Sequence, residues 1–407
     1  MHAVRWRILA LLFFATTINY LDRILISVLI PVIRDQLHVT DKDYGYLQGA
    51  FTAAYTVGFL IAGKFIDRFG TRIGYATAIV WWSAAAVLHS IAGSVFSLGF
   101  WRAMLGFGEA GNFPAAIKSV AEWFPKKDRA FATGIFNSGT NIASVLGPPL
   151  FVWISVQWGW RMAFVTTGCT GFVWVVIWMF SYRKPPAEVA VEDAAAVESV
   201  SWTEALRYPQ TWGFALGKFF TDPVWWFYLN WLPLYLFDVR KFDLKQIGWT
   251  LPVIYTAASV GSIAGGWLSG VLMRRGWETG RARRLAMAVC AFCMPVAAMC
   301  AFTPSPILTI ALVSLATAGH QGWSANLYST TSDVFPREAV ASVTGIGGCA
   351  GGIGGFLFSS IIPGIVVTYF GYTPMFLLMG SLHVCSLFLM KALLWRKHAP
   401  LPVPTIS

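Results

Sequence analysis

Apolar runs of about twenty residues recur along the chain, separated by short polar segments rich in Lys and Arg. A helix of that length crosses the roughly 30 Å hydrocarbon core of a bilayer. Twelve such runs are predicted, near residues 6–30, 45–65, 74–93, 95–119, 130–154, 159–181, 210–237, 247–273, 284–303, 306–331, 340–368 and 373–395. The short alternating segments of a membrane barrel are missing. The pattern therefore predicts an all-α polytopic membrane protein of twelve transmembrane helices. The first run follows Arg5, Trp6 and Arg7 and could pass for a signal peptide. It is too long for one, and no small-residue cleavage site follows it.

The polar breaks orient the helices. One set of loops holds Arg5, Arg7, Lys64, Arg68, Arg72, Lys126, Lys127, Arg129, Arg183, Lys184, Arg207 and the basic cluster from Arg274 to Arg284, with Arg337, Arg396 and Lys397. The opposite set holds only Arg34, Lys42, Arg161, Arg240, Lys241 and Lys245. The Lys- and Arg-rich side is expected in the cytoplasm, with both termini there. Pro185 to Ser201 is rich in Pro, Ala and Glu and poor in large apolar residues, the composition of a linker. The expected organisation is an amino-terminal six-helix bundle at 1–183, a cytoplasmic linker at 184–208, and a carboxy-terminal six-helix bundle at 209–407.

The halves repeat each other. Glu122-Trp123-Phe124-Pro125 stands 211 residues before Asp333-Val334-Phe335-Pro336, and Thr133-Gly134-Ile135 stands 211 before Thr344-Gly345-Ile346. Asn19 precedes Asn230 by 211, while Gly159, Phe164 and Gly168 precede Gly371, Phe376 and Gly380 by 212. Two parallel six-helix repeats are the plan of one large class of secondary transporters.

Composition agrees with a membrane setting. The chain is 56% hydrophobic and only 12% charged, against about 25% in soluble domains. Its net charge of +11 would suggest nucleic acid in a soluble protein, but loop topology accounts for it, and no nucleic-acid partner is expected. The six cysteines all lie in apolar helices. Cys290 and Cys293 form a CxxC without a second pair or histidines nearby, so no metal or other cofactor is expected.

Charges at membrane depth are the candidate chemistry, because each is costly there unless paired or wetted. Span one carries Asp22 and Arg23 in Asn19-Tyr20-Leu21-Asp22-Arg23, and span four carries Arg102 and Glu109. Arg102 and Glu109 are seven apart and share a helical face, about 10 Å apart in rise. Two guanidinium forks suit a carboxylate. Two acids beside them suit proton coupling, since desolvation and a nearby arginine pull a carboxyl's proton affinity in opposite directions. Of the two, Glu109 is the expected coupling acid through linkage to Arg102, while Asp22 points to another face of its helix. The bland alternative is a fully paired structural quartet.

The carboxy-terminal half has fewer charges: Lys218 and Asp222, four apart in span seven, suit a local pair. His320-Gln321-Gly322-Trp323-Ser324-Ala325-Asn326 in span ten, and Trp225 to Trp231 around Asn230 in span seven, set polar tips among aromatic faces. A polyhydroxylated ligand needs such partners. Gln321 and Asn230 are the stronger candidates; a single aromatic in these spans serves packing or lipid equally well. Gly345 to Gly355 in span eleven holds seven glycines, read as close helix packing or a bend.

Gly63-Lys64-Phe65-Ile66-Asp67-Arg68-Phe69-Gly70-Thr71-Arg72 joins spans two and three. It resembles the G-x-x-x-D-R-x-G-x-R loop signature of the major facilitator superfamily. Gly63 would allow close helix approach, Asp67 would accept from arginines and a helix amino end, and Gly70 would suit a tight turn. With Arg68 and Arg72, these residues are expected to govern conformational gating. The second half keeps a worn copy, Gly266 followed by Gly270.

The Asn-Tyr-x-Asp-Arg run, the Arg102 to Glu109 segment and this loop together resemble the anion:cation symporter family of that superfamily. Lys218-x-x-Thr221-Asp222-Pro223-x-Trp225-Trp226-Phe227-Tyr228 and His320-Gln321-x-Trp323-Ser324-Ala325-Asn326-Leu327 resemble its bacterial hexuronate transporters. The resemblance implies proton-coupled import of a sugar acid such as glucuronate or galacturonate across the bacterial inner membrane. It implies proton coupling at Asp22 and Glu109, carboxylate binding at Arg23 and Arg102, and pocket roles for Tyr20 and Tyr55. Aldonate-transporting relatives carry a glutamine in span five where this chain has Thr140, and Asn141 is the expected substitute. The expected partners are a small carboxylate, protons and the lipid bilayer, with the chain a monomer. Competing readings are an aldonate or other organic-anion carrier, and a sugar-acid sensor, which the short tails disfavour. An enzyme is not expected, for want of a nucleophile and base at one depth.

Overall fold

A computed structural model of the chain describes residues 2–124, 126–183, 202–335 and 337–395, which are largely helical and include no strand. In chain order, α1 spans His2–Leu37, α2 Asp41–Leu88, α3 Val95–Glu109, α4 Asn112–Trp123, α5 Lys126–Asn137, α6 Gly139–Trp158 and α7 Trp160–Ser181. After a helical turn at Trp202–Ala205 come α8 Pro209–Asp238, α9 Leu244–Arg274, α10 Thr279–Ala298, α11 Pro306–Val334, α12 Arg337–Gly355, α13 Ile362–Phe370 and α14 Thr373–Leu393. Most of the expected linker, at 184–201, lies outside the described residues.

Several expected spans are subdivided. Spans two and three run together as α2 across Gly70, whose φ of 77° is a turn that glycine takes without strain. Span four breaks into α3 and α4, span five into α5 and α6, and span eleven passes from α12 through a π-helical segment at Phe356–Ile361 into α13. Among the described residues, seven stretches are long and apolar enough to cross a membrane: 4–37, 132–158, 160–181, 244–274, 279–301, 342–370 and 373–393. The other expected spans are shortened by a break, as in α3, or carry more polar side chains, as in α8 and α11. Apolar side chains such as Phe96, Phe180 and Ile307 stand outward, as a lipid-facing surface requires.

The sequence repeat is a structural one. Ser94 caps α3 through a bond from Ser97 N, and Ser305, 211 residues on, caps α11 through one from Leu308 N. Phe124 and Phe335 end α4 and α11 in extended backbone. Gly159 and Gly371 close α6 and α13 at φ of 84° and 72°, a region closed to most side chains, so each half turns its last hairpin on glycine.

The chain forms two compact units: residues 1–196 with 230–252, and residues 197–229 with 253–407. The first has a core of Tyr75, Trp82, Trp174 and Trp178, with the last two stacked at 4.9 Å. The second has a core that includes Phe214, Met287, Trp323, Leu327 and Met390. There the α12 glycines pack against α8: a Cβ on Gly354 would lie 2.0 Å from Phe219 O, and one on Gly351 2.2 Å from Asp222 Oδ2. Of the alternatives for span eleven, close packing is present, and the π-helical segment at Phe356–Ile361 is the kind of break at which helices bend.

Candidate functional site

Three helices of the first unit bring its buried charges together. Successive helical residues are about 100° apart, so Asp22 and Arg23 of α1 face different neighbours. Arg23 turns to α3, where its Nε donates to Glu109 Oε2 at 2.9 Å. Its guanidinium lies 4.7, 5.0 and 5.3 Å from the ring centres of Tyr55, Tyr20 and Phe51. Arg102 of α3 sits 4.4 Å from the centre of the same Phe51 ring and donates Nη2 to Gln48 Oε1 at 2.8 Å. Gly106 makes this packing possible, because a Cβ there would lie 2.3 Å from Phe51 O. One aromatic side chain of α2 therefore serves two cations, at about 0.5–2 kcal/mol per contact.

The cluster is not fully paired. Asp22 is 1% exposed and forms no ion pair among the described residues; the Thr167 hydroxyl is the polar group beside it. Arg102 Nε and Nη1, Arg23 Nη2 and Glu109 Oε1 have no hydrogen-bond partner among the described residues. Glu109 pairs with Arg23, whereas the spacing within span four suggested Arg102. Helical spacing shows which residues share a face, not what a neighbouring helix offers that face.

Around the cluster runs a chain of neutral bonds. Gln48 donates to Tyr44 OH at 2.7 Å and to Ser27 Oγ at 3.2 Å. Tyr44 donates to Asn230 O at 2.7 Å, and Ser27 to Asn230 Oδ1 at 3.4 Å. Asn230 thus belongs to the same unit as the arginines. Nearby, Arg34 holds Asp238 at 2.8 Å and Asp41 at 3.6 Å. Gln48, Phe51 and Tyr55 were not singled out as a group, yet their spacing of three and four residues along span two marks one face. Asn141 is exposed.

The second unit holds the other candidates. Lys218 Nζ is 2.7 Å from Asp222 Oδ2 and donates to Tyr328 OH at 2.8 Å, which bears out the expected local pair. His320 stacks on Trp225 at 5.8 Å and shares a hydrogen bond with His383. Gln321 is partly buried, with no side-chain hydrogen bond among the described residues. Trp323 and Asn326 are placed differently from a ligand contact. Trp323 is fully buried in the core. Asn326 donates to Gly265 O and Gly322 O, both at 2.9 Å, and accepts from Arg283 at 3.3 Å.

In the loop after span two, Gly70 makes the expected turn, Arg72 donates to Met179 O, and Arg68 is exposed beside Phe69. Gly63 does not serve a close approach: a Cβ there would meet nothing within 4 Å. The Asp67 side chain lies outside the described residues. Close by, Glu122 accepts from Thr71 at 2.7 Å and from Tyr182. Burial and this acid raise the Tyr182 phenol above its ordinary range. Among the described residues, no group of His, Cys, Asp or Glu could hold a metal ion.

The sequence profile described as the Major Facilitator Superfamily matches residues 12–359. The chain belongs to that superfamily. The chain is 31% identical over 415 residues to a hexuronate transporter of Escherichia coli K12, across 97% of this chain and 95% of the relative. It is 33% identical over 283 residues to a galacturonate transporter of Dickeya chrysanthemi, across 65% of this chain and 81% of the relative. A crystal structure of a bacterial homologue of the human lysosomal transporter Spinster has the same fold, with a TM-score of 0.78 at 18% identity over 98% of this chain and 99% of that one. This member of the superfamily is thus a multi-pass, all-α membrane transporter and not an enzyme.

Proposed function

We propose that the chain imports a sugar acid, a hexuronate such as glucuronate or galacturonate, together with protons by alternating access. The observation that carries this reading is the uneven charge of the first-unit cluster. One ion pair is satisfied, while Arg102 keeps two unpartnered N–H groups and Asp22, with only the Thr167 hydroxyl beside it, forms no ion pair among the described residues. A buried charge without a partner costs several kcal/mol, so such a site gains when an anion meets the arginine and a proton meets the acid. Names of relatives support a hexuronate, because hexuronate and galacturonate transporters match most of their own length.

In this reading Arg102 and Arg23 bind the substrate carboxylate. Tyr20, Tyr55 and Phe51 support the guanidinium planes and offer faces to the sugar. Gln48 holds Arg102 until the carboxylate replaces it. Asn230 and Asn141 contact hydroxyls. Within the second unit His320 and Gln321 are the candidate ligand contacts, whereas Trp323 and Asn326 position the helices. Glu109 carries the coupling proton: when Arg23 turns to the substrate, the acid loses its counter-charge and takes a proton, and the reverse releases it. Asp22 governs opening. The loop residues Gly63, Asp67, Arg68, Gly70 and Arg72 control the change of state, in a monomer of the bacterial inner membrane.

Uptake of labelled glucuronate into vesicles, with and without an imposed pH gradient, tests this reading. Accumulation only with the gradient is expected. Accumulation without it, or preference for galactonate, would contradict the coupling or the substrate. In this reading both termini and the linker lie in the cytoplasm, so a cysteine at Ala190 should resist an impermeant thiol reagent in intact cells, and ready labelling would reverse the topology.

A further inference from the structure

His383 of α14 has no role so far, yet it shares a hydrogen bond with His320: His320 Nδ1 lies 3.2 Å from His383 Nε2. Both rings are buried, with His320 keeping 4% exposure and His383 none. Trp225 of α8 stacks on His320 with 9° between the planes, so the imidazole plane is held. Trp323 of α11 stands at 78° to the His383 ring, 5.3 Å away. In the same unit, Lys218 and Asp222 are closed on each other at 2.7 Å. What remains is which ring nitrogen carries a proton.

Two neutral rings can share this bond in two ways. If His320 donates from Nδ1, the proton of His383 must sit on its Nδ1, a buried atom without a partner among the described residues. That strands an N–H donor in the core. If His383 donates from Nε2, its Nδ1 is a bare lone pair, and an under-satisfied acceptor is better tolerated than an orphaned N–H. The second arrangement leaves His320 with its proton on Nε2, at the far end of the ring from the bond.

We propose that His383 is a positioning residue that fixes the tautomer of His320, making its Nε2–H a donor for a hydroxyl or carboxylate oxygen of the substrate. Trp225 sets the plane of the ring and His383 sets its polarity. The inference rests on the reading of His320 as a substrate contact, but the tautomer can be measured without substrate.

The test is ring-nitrogen NMR on the full-length protein in detergent, with labelled histidine, joined to uptake kinetics with glucuronate. In the wild type, His320 Nδ1 should resonate as an unprotonated nitrogen and Nε2 as a protonated one. His383→Leu should lose that bias and raise KM about tenfold with little change in kcat, the size of one lost hydrogen bond. His383→Gln, whose amide N–H can replace Nε2–H, should restore both the spectrum and KM to within about threefold. A proton on His320 Nδ1 in the wild type would overturn the proposal, as would an unchanged KM in His383→Leu. An unchanged KM in His320→Leu, with the expected wild-type spectrum, would instead remove His320 from the site while leaving the tautomer in place.

Discussion

The two units differ in how much buried charge they leave open: the first closes Arg23 on Glu109 but not every buried charge. In the first, Arg102 and Asp22 are each 1% exposed, and neither forms an ion pair among the described residues. In the second, Lys218 is 2% exposed and closed by Asp222 and Tyr328, and Arg283 is closed by Asp333 at 2.9 Å. A closed pair opens only when a ligand and a proton replace what its partners lose. An open charge has free energy to gain from an anion or a proton. The repeat built both units on one plan, and His320 stands 211 residues after Glu109. On the proposed reading, the contrast divides the work: charge exchange in the first half, neutral recognition and support in the second.

The contrast breaks most visibly at the arginines. Arg102→Lys and Arg23→Lys should each lower uptake efficiency on the order of 100-fold, because a point charge does not replace a bidentate fork worth about 1.5–3 kcal/mol per charged bond. Binding of glucuronate to purified protein should weaken alongside. If both variants bind as the wild type does, the open charges are not the carboxylate site.

A large effect of another kind is expected in the second unit. Lys218→Met leaves Asp222 unpaired and should destabilise the fold by about 3–5 kcal/mol, read as a drop in thermal midpoint. Lys218→Met with Asp222→Leu should recover most of that loss. A single variant as stable as the wild type would mean that this pair is not closed as described.

Smaller still is Asn326→Ala. It removes a bond to Gly265 O of α9 and one to Gly322 O of its own helix, and should cost about 1–3 kcal/mol of stability. The KM for glucuronate should stay within about twofold. A rise of tenfold or more without lost stability would return Asn326 to the substrate site.

How much of this was legible in the sequence varies by residue. The four charges of the first unit stood out because each is costly in an apolar run. The separate directions of Asp22 and Arg23 followed from helical geometry. Their partners did not, because the pairing of Arg23 with Glu109 depends on how α1 packs on α3. The breaks in spans four, five and eleven leave no clear mark in hydropathy, since residues such as Ala110 and Gly111 are apolar or small. Lys218 and Asp222 were legible as a pair because both lie on one helix. His383 was not singled out, for a lone histidine in an apolar helix gives no sign of the ring it faces.

The central claim is that Glu109 exchanges a proton for its arginine. Glu109→Gln imitates the protonated acid, and the direct measurement compares two assays of this variant in reconstituted vesicles: glucuronate uptake driven by a pH gradient, and counterflow between labelled and unlabelled glucuronate. Loss of uphill accumulation with counterflow retained is the expected result. If Glu109→Gln still accumulates glucuronate in response to a proton gradient, Glu109 is not the coupling acid and the account is wrong.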